Sequence, residues 1–210
     1  MLYFLLIFLA LFQSAISPGR GTGAVASSSA PTLLYSDNFS GTGALSANWT
    51  AVSASGYTEL ARVGGQAKSS PSGTKGLDIY TGGVFAADQE SRATYGVSGS
   101  GSGGGATGVC VRMNAVGNGY CWIVYSQTIY LITGGGGVTA LTTSCPNSTE
   151  GGIISLSVSG STVTCATIFG GFPQAGAVSV TDSTYTTGYP GILVDGAADA
   201  TNYIANWSGQ

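Results

Sequence analysis

The sequence predicts an all-β sandwich or barrel, and three observations carry that reading. Short runs rich in Val, Ile, Thr, Tyr and Trp recur about every ten residues, broken by Gly, Ser, Asn and Pro. No stretch beyond the N-terminal apolar run keeps a helical period for three turns. Only 7% of the 210 residues are charged and 35 are Gly, which excludes coiled coils and helical bundles.

Met1 to Phe12 is an unbroken apolar run. It is shorter than the roughly 20 residues of a membrane span and has the length of a secretory signal's apolar region. The reading is a signal over residues 1–17, although Ala24-Val25-Ala26 also fits a cleavage site. No Lys or Arg precedes the run, and an ordinary apolar N-terminus is the alternative. Residues 18–32, mostly Gly, Ser and Ala, read as a flexible leader. One domain is expected over 33–210, secreted and without a membrane span after processing. Its predicted strands are Leu33–Phe39, Trp49–Val52, Glu59–Val63, Leu77–Tyr80, Gln89–Val97, Gly108–Met113, Gly119–Tyr125, Ile129–Thr133, Val138–Thr142, Ile153–Val158, Thr162–Ile168, Gly191–Val194 and Asn202–Trp207. The tract Ser98–Gly105, SGSGSGGG, reads as a mobile tip joining two antiparallel strands.

The hairpin over Gly108–Tyr125 has a legible register. Placing Val111 opposite Tyr120 puts Val109, Val111, Met113, Tyr120, Trp122 and Val124 on one apolar face, the core side. The other face carries Cys110, Arg112, Cys121, Ile123 and Tyr125. Cys110 then opposes Cys121 within reach of a disulfide. Cys145 and Cys165 pair by elimination, and four buried free thiols are the alternative. If the Gly-rich tract closes a hairpin, Glu90 and Arg92 share a face with Arg112, and Tyr125 lies one strand over.

Several chemistries are excluded. There is no His, which removes His-based triads, metal sites and general bases. Six Lys and Arg with a net charge of −3 cannot neutralise a nucleic-acid backbone. No C-x-x-C spacing suggests zinc.

The segments Ser36-Asp37-Asn38-Phe39 with Leu45 and Trp49, Phe85 to Glu90, Gly108-Val109-Cys110-Val111-Arg112, Tyr120-Cys121-Trp122, Leu156 to Gly160, Asp182 to Ile192 and Asn206-Trp207 resemble the concanavalin A-like lectin/glucanase superfamily. The likeness is to its laminin-G-like bacterial and phage branch, and it spans about Leu33 to Gln210. It implies a jelly roll of two antiparallel sheets, with ligands bound on a concave face or at rim loops. It supports fold more than function, because members include binding modules, glycosidases and structural modules.

Glycosidases of that superfamily carry an E-x-D-x-x-E strand, and this chain has none. Asp88 and Glu90 are the nearest pair, and a salt bridge of Glu90 with Arg92 or Arg112 is the simpler reading. No catalytic residue is predicted. The first expectation is therefore a non-enzymatic secreted module that binds a glycan or another surface ligand. The second is a structural or adhesive subunit of a virion or extracellular assembly, since few charges guard its edges against self-assembly. The third is a hydrolase or lyase of the same fold. Aromatic faces stack on sugar rings and polar side chains fix hydroxyls. Two candidate sites follow: Tyr125 with Glu90, Arg92 and Arg112, and Phe172 with Tyr185 and Tyr189 in Gly/Pro-rich loops. No cofactor is predicted. Asp37, Asp182, Asp195 and Asp199 could ligate a structural Ca2+, but turn and cap roles are the simpler reading. Four Asn-x-Ser/Thr sequons, at Asn38, Asn48, Asn147 and Asn206, carry weight only in a secretory pathway that glycosylates.

Overall fold

The β-branched and aromatic runs form strands, with Gly- and Asn-rich turns between them, in a computed structural model describing residues 33–53, 56–69, 74–97, 106–134, 136–174, 176–196 and 202–210. The expected leader, the tract 98–105 and Asp199 lie outside the described residues. In chain order the strands are β1 (Tyr35–Asp37), β2 (Thr42–Ala44), β3 (Trp49–Ala51), β4 (Tyr57–Thr58), β5 (Leu60–Val63), β6 (Ala67–Ser69), β7 (Lys75–Tyr80), β8 (Gln89–Val97), β9 (Thr107–Met113), β10 (Gly119–Ile123), β11 (Thr128–Thr133), β12 (Gly137–Thr142), β13 (Ile153–Ser159), β14 (Thr162–Phe169), β15 (Phe172–Pro173), β16 (Val178–Thr181), β17 (Tyr189–Asp195) and β18 (Asn202–Gly209). Every predicted run contains a strand. The short β2, β4, β6, β15 and β16 lie outside those runs, because two to four residues show no legible alternation.

The strands form two sheets of an antiparallel jelly-roll sandwich. The first runs β15-β14-β13-β8-β18-β6-β5-β2, with β1 on β18 and β16 on β14. The second runs β12-β11-β10-β9-β17-β7-β3, with β4 parallel on β7. Alternate residues of each strand meet between them: Ile154, Leu156, Val163 and Ile204 from the first sheet, Val109, Val111, Trp122 and Ile192 from the second. Each such side chain contributes roughly 1.5–3 kcal/mol on burial. At one side Trp49, Tyr80 and Trp207 lie with ring centroids 4.7–5.2 Å apart. Two of the core indoles are paired, Trp49 donating to Asp37 at 2.9 Å and Trp207 to Ser91 at 2.9 Å, whereas the buried Trp122 indole and Thr107 hydroxyl have no hydrogen-bond partner among the described residues.

The register of the β9–β10 hairpin is as expected, with Val111 opposite Tyr120 and Cys110 opposite Cys121. The Cys110–Cys121 disulfide joins those strands, and Cys145–Cys165 ties the segment after β12 to β14. Two expectations are corrected. β8 and β9 do not form a hairpin: β8 lies between β13 and β18 in the first sheet, and β9 between β10 and β17 in the second. The chain therefore passes from the first sheet to the second between β8 and β9. The faces of Arg112 and Met113 are also exchanged. Arg112 has a φ of 49°, and this left-handed residue breaks the two-residue alternation. Met113 consequently joins the outer face with Cys110 and Cys121, and Arg112 turns inward. Gly119 and Gly188, both at positive φ, flank this bulge, and a Cβ on either would collide with the Arg112 or Met113 backbone.

Candidate functional site

The outer face of the second sheet is apolar, which a solvated sheet face would not be. β7 contributes Leu77 and Ile79, β9 Cys110 and Met113, β10 Cys121, β11 Ile132 and β17 Leu193, all buried. The chain leaving β3 covers part of this face. The Val52 amide donates to the Leu77 carbonyl and the Ser53 amide to the Ala115 carbonyl, each at 2.9 Å, and Val52 is itself buried. Beyond that cover the face opens into a groove of about 250 Å³ lined by Tyr57, Lys75, Ile123, Tyr125, Tyr130, Val138, Leu193 and Asp195. A wider hollow of about 610 Å³ adjoins it, sharing Tyr57, Lys75, Val138 and Asp195 and adding Thr58 and Thr74. Ligand sites have this form, a mostly apolar wall with a few converging polar groups.

Strand pairing places each polar group. β7 and β17 pair so that Lys75 opposes Asp195 and Leu77 opposes Leu193. The Lys75 ammonium stands 3.9 Å from the Asp195 carboxylate, with 57% of the lysine side chain exposed. A pair whose lysine is this exposed contributes ~0–1 kcal/mol, so the ammonium can turn to a ligand at little cost, while the Asp195 carboxylate, 20% exposed, is also held by the Ala106 amide. Burial raises the Asp195 carboxyl above its ordinary value against the opposing pull of Lys75. Burial, and then the Asp195 charge, also push up the Tyr57 phenol, so its hydroxyl remains a neutral donor at neutral pH. Tyr125 is 70% exposed, and Tyr130 borders the same groove.

The residues singled out from the sequence separate to different places. Tyr125 lies in the groove with Ile123 from its expected face. Glu90 and Arg92 stand on the outer face of the other sheet, where the Arg92 fork meets the Glu90 carboxylate through Nε and Nη2 and the Ser155 hydroxyl donates to Glu90. Arg112 sits at a rim, 2% exposed, donating to the carbonyls of Ala87, Tyr185 and Gly160 at 2.8–2.9 Å, with Asp88 3.8 Å away. The expected grouping of Tyr125 with Glu90, Arg92 and Arg112 is thus divided among three places, because β8 and β9 belong to different sheets. Tyr185 packs edge-on against Tyr120, and Tyr189 against Phe85, while Phe172 lies in β15 at an edge of the first sheet.

Tyr57, Lys75, Tyr130 and Asp195 were not grouped by the sequence. The signal available was the parity of Lys75 with Leu77 and of Asp195 with Leu193, legible only once β7 is known to pair with β17. Of the aspartates weighed as calcium ligands, Asp37 accepts from the Phe39 amide and the Trp49 indole. Asp182 accepts from the Tyr120 hydroxyl at 2.6 Å and the Thr184 amide at 2.8 Å. Burial raises the Asp182 carboxyl, but these bonds outweigh it and leave it below its ordinary value. Among the described residues, no three His, Cys, Asp or Glu side chains gather as a metal site would require.

No protein-family model and no curated protein matches the sequence. Solved structures do match the fold. The carbohydrate binding module CBM66 from Bacillus subtilis superposes with a TM-score of 0.53 at 15% identity, over 78% of this chain and 92% of that one. The exoplasmic/lumenal domain of VIP36 superposes in its Ca2+/Man-bound form with a TM-score of 0.53 at 13% identity, over 78% of this chain and 82% of that one. Its metal-free form gives 0.53 over 77% of this chain. At these identities the likeness is one of fold: an all-β jelly-roll sandwich of the kind also found in a carbohydrate-binding module.

Proposed function

We propose that the chain is a secreted, non-enzymatic β-sandwich module that binds a glycan in the groove of the second sheet. The observation that carries this reading is the meeting of Tyr57, Tyr125 and Tyr130 with the Lys75–Asp195 pair in one open groove. A tyrosine ring offers an apolar face to the C–H side of a sugar, and the phenol, ammonium and carboxylate offer donors and acceptors to its hydroxyls. The fold shared with CBM66 supports the same ligand class. Two disulfides fit an oxidising compartment. Among the described residues lining the groove, Asp195 alone carries a carboxyl, whereas glycoside hydrolysis usually uses two facing the scissile bond.

A glycan array with the full chain, beside Tyr125→Ala and Tyr130→Ala, tests the reading. Selective binding that falls at least tenfold in both variants supports it, and binding unchanged in both removes the groove from consideration. The structural reading retains one specific support. β12 is an edge strand with no charged residue, and its first four residues are exposed. A blank array together with a concentration-dependent oligomer in light scattering would favour that reading.

A further inference from the structure

Four of the seven asparagines stand in Asn-x-Ser/Thr sequons. The fold sorts the two groups by exposure. Asn38, Asn48, Asn147 and Asn206, the sequon residues, are all exposed, whereas Asn114 and Asn118 are only partly exposed and Asn202 is buried. The three outside sequons are engaged in structure: Asn114 and Asn118 accept backbone amides around the β9–β10 and β11–β12 turns, and Asn202 donates to the Asp195 carbonyl. Of the sequon residues, Asn48 hydrogen-bonds the Tyr80 hydroxyl at the surface. At Asn38 the side-chain oxygen accepts the Ser40 amide at 3.1 Å, so the bond uses Oδ1 rather than the Nδ2 that would carry a sugar.

Three of the four gather at one corner. Trp49 donates to Asp37 and stacks on Trp207, so Asn38, Asn48 and Asn206 each adjoin in sequence a member of one contact set. The ladder that sets Asp37 opposite Trp207 stops beside Asn38 and Asn206, on the first sheet, and Asn48 precedes β3, at the edge of the second. Asn147 lies in the segment between β12 and β13. No groove-lining residue belongs to a sequon.

We propose that Asn38, Asn48, Asn147 and Asn206 are N-glycosylation sites, and that the glycans of the three at the corner leave the groove on the second sheet bare. The inference rests on secretion but not on glycan binding. In the transfer, the glycosidic C1 of a lipid-diphosphate-linked oligosaccharide forms a bond to Nδ2. The C1–oxygen bond to the lipid diphosphate breaks, the diphosphate leaves, and Nδ2 loses one proton.

The test uses the full chain behind an added cleavable leader in a eukaryotic secretory cell, so that lumenal entry does not depend on residues 1–17. The purified protein is treated with peptide-N-glycosidase in 18O-labelled water and mapped by mass spectrometry. The expected result is a fall in mass and 18O-labelled Asp at the four sequon positions. Each single Asn→Gln variant removes one glycoform step. An unchanged mass, or labelling at none of the four, overturns the assignment. Glycan-array signals of the Asn147→Gln variant should agree within about twofold before and after treatment, and a gain of tenfold or more on deglycosylation overturns the claim that the corner glycans leave the groove bare. A blank array leaves the mass result intact, so failure of the binding reading and failure of this one are separately visible.

Discussion

Arg112 shows how one side chain can hold a rim. Its guanidinium is buried and joins the start of β8, the β13–β14 turn and the loop before β17 through three carbonyls. Hydrogen bonds from a charged donor are worth roughly 1.5–3 kcal/mol each, and Lys cannot reproduce the planar fork. Arg112→Lys should therefore cost about 2–4 kcal/mol by chemical denaturation, without a selective effect on groove binding. Asp78 makes a different prediction. It is 1% exposed between the sheets, accepts the Leu60 amide at 3.1 Å, and burial raises its carboxyl to about 7 from 3.8. The folded state therefore keeps a proton that the unfolded chain releases above pH 3.8. Its contribution to stability is full below that value and falls as pH rises towards 7. Asp78→Asn should gain roughly 2–4 kcal/mol over the wild type between pH 4 and pH 8. Equal denaturation midpoints for the two proteins at both pH values would refute this.

At the scale of the element, β8 joins the two sheets through its inward side chains. Gln89 donates to the Gly188 carbonyl at 2.6 Å, and Ser91 donates to the Gly191 carbonyl while accepting the Trp207 indole. Ser91→Ala would remove the partner of that indole, and a loss of about 1–3 kcal/mol is expected in urea melts. The outward residues Glu90 and Arg92 of the same strand form a cluster with Ser155 of β13. Removing one charge should cost about 3–5 kcal/mol, whereas a double replacement by apolar residues of similar volume should cost far less. A double-mutant cycle measures that difference. The β9–β10 hairpin was legible because its alternation is strong and the partner strand lies only a few residues away. The left-handed Arg112 was not legible, because nothing in Val111-Arg112-Met113 marks a bulge. It depends on Gly119 and Gly188 making room from neighbouring segments.

Across the whole molecule, the Cys145–Cys165 bridge closes a 20-residue separation inside the core. Replacing both cysteines by serine should lower stability by about 2–4 kcal/mol, read from the denaturation midpoint, with near-native circular dichroism at low temperature. The sequence by itself determined the strand-rich class, nearly all of the longer strands and one hairpin register, since each follows from local alternation; it offered both cysteine pairings but left free thiols open as the alternative. It also placed Tyr125 on a face opposite the core. Only the tertiary structure decided that β8 and β9 belong to different sheets, that Arg112 turns inward, and that Tyr57, Lys75, Tyr130 and Asp195 share the groove with Tyr125. The physical reason is the distance along the chain. Lys75 and Asp195 meet because β7 and β17, more than a hundred residues apart, pair in one register, and a two-residue period fixes which face a side chain takes but not which strand lies beside it.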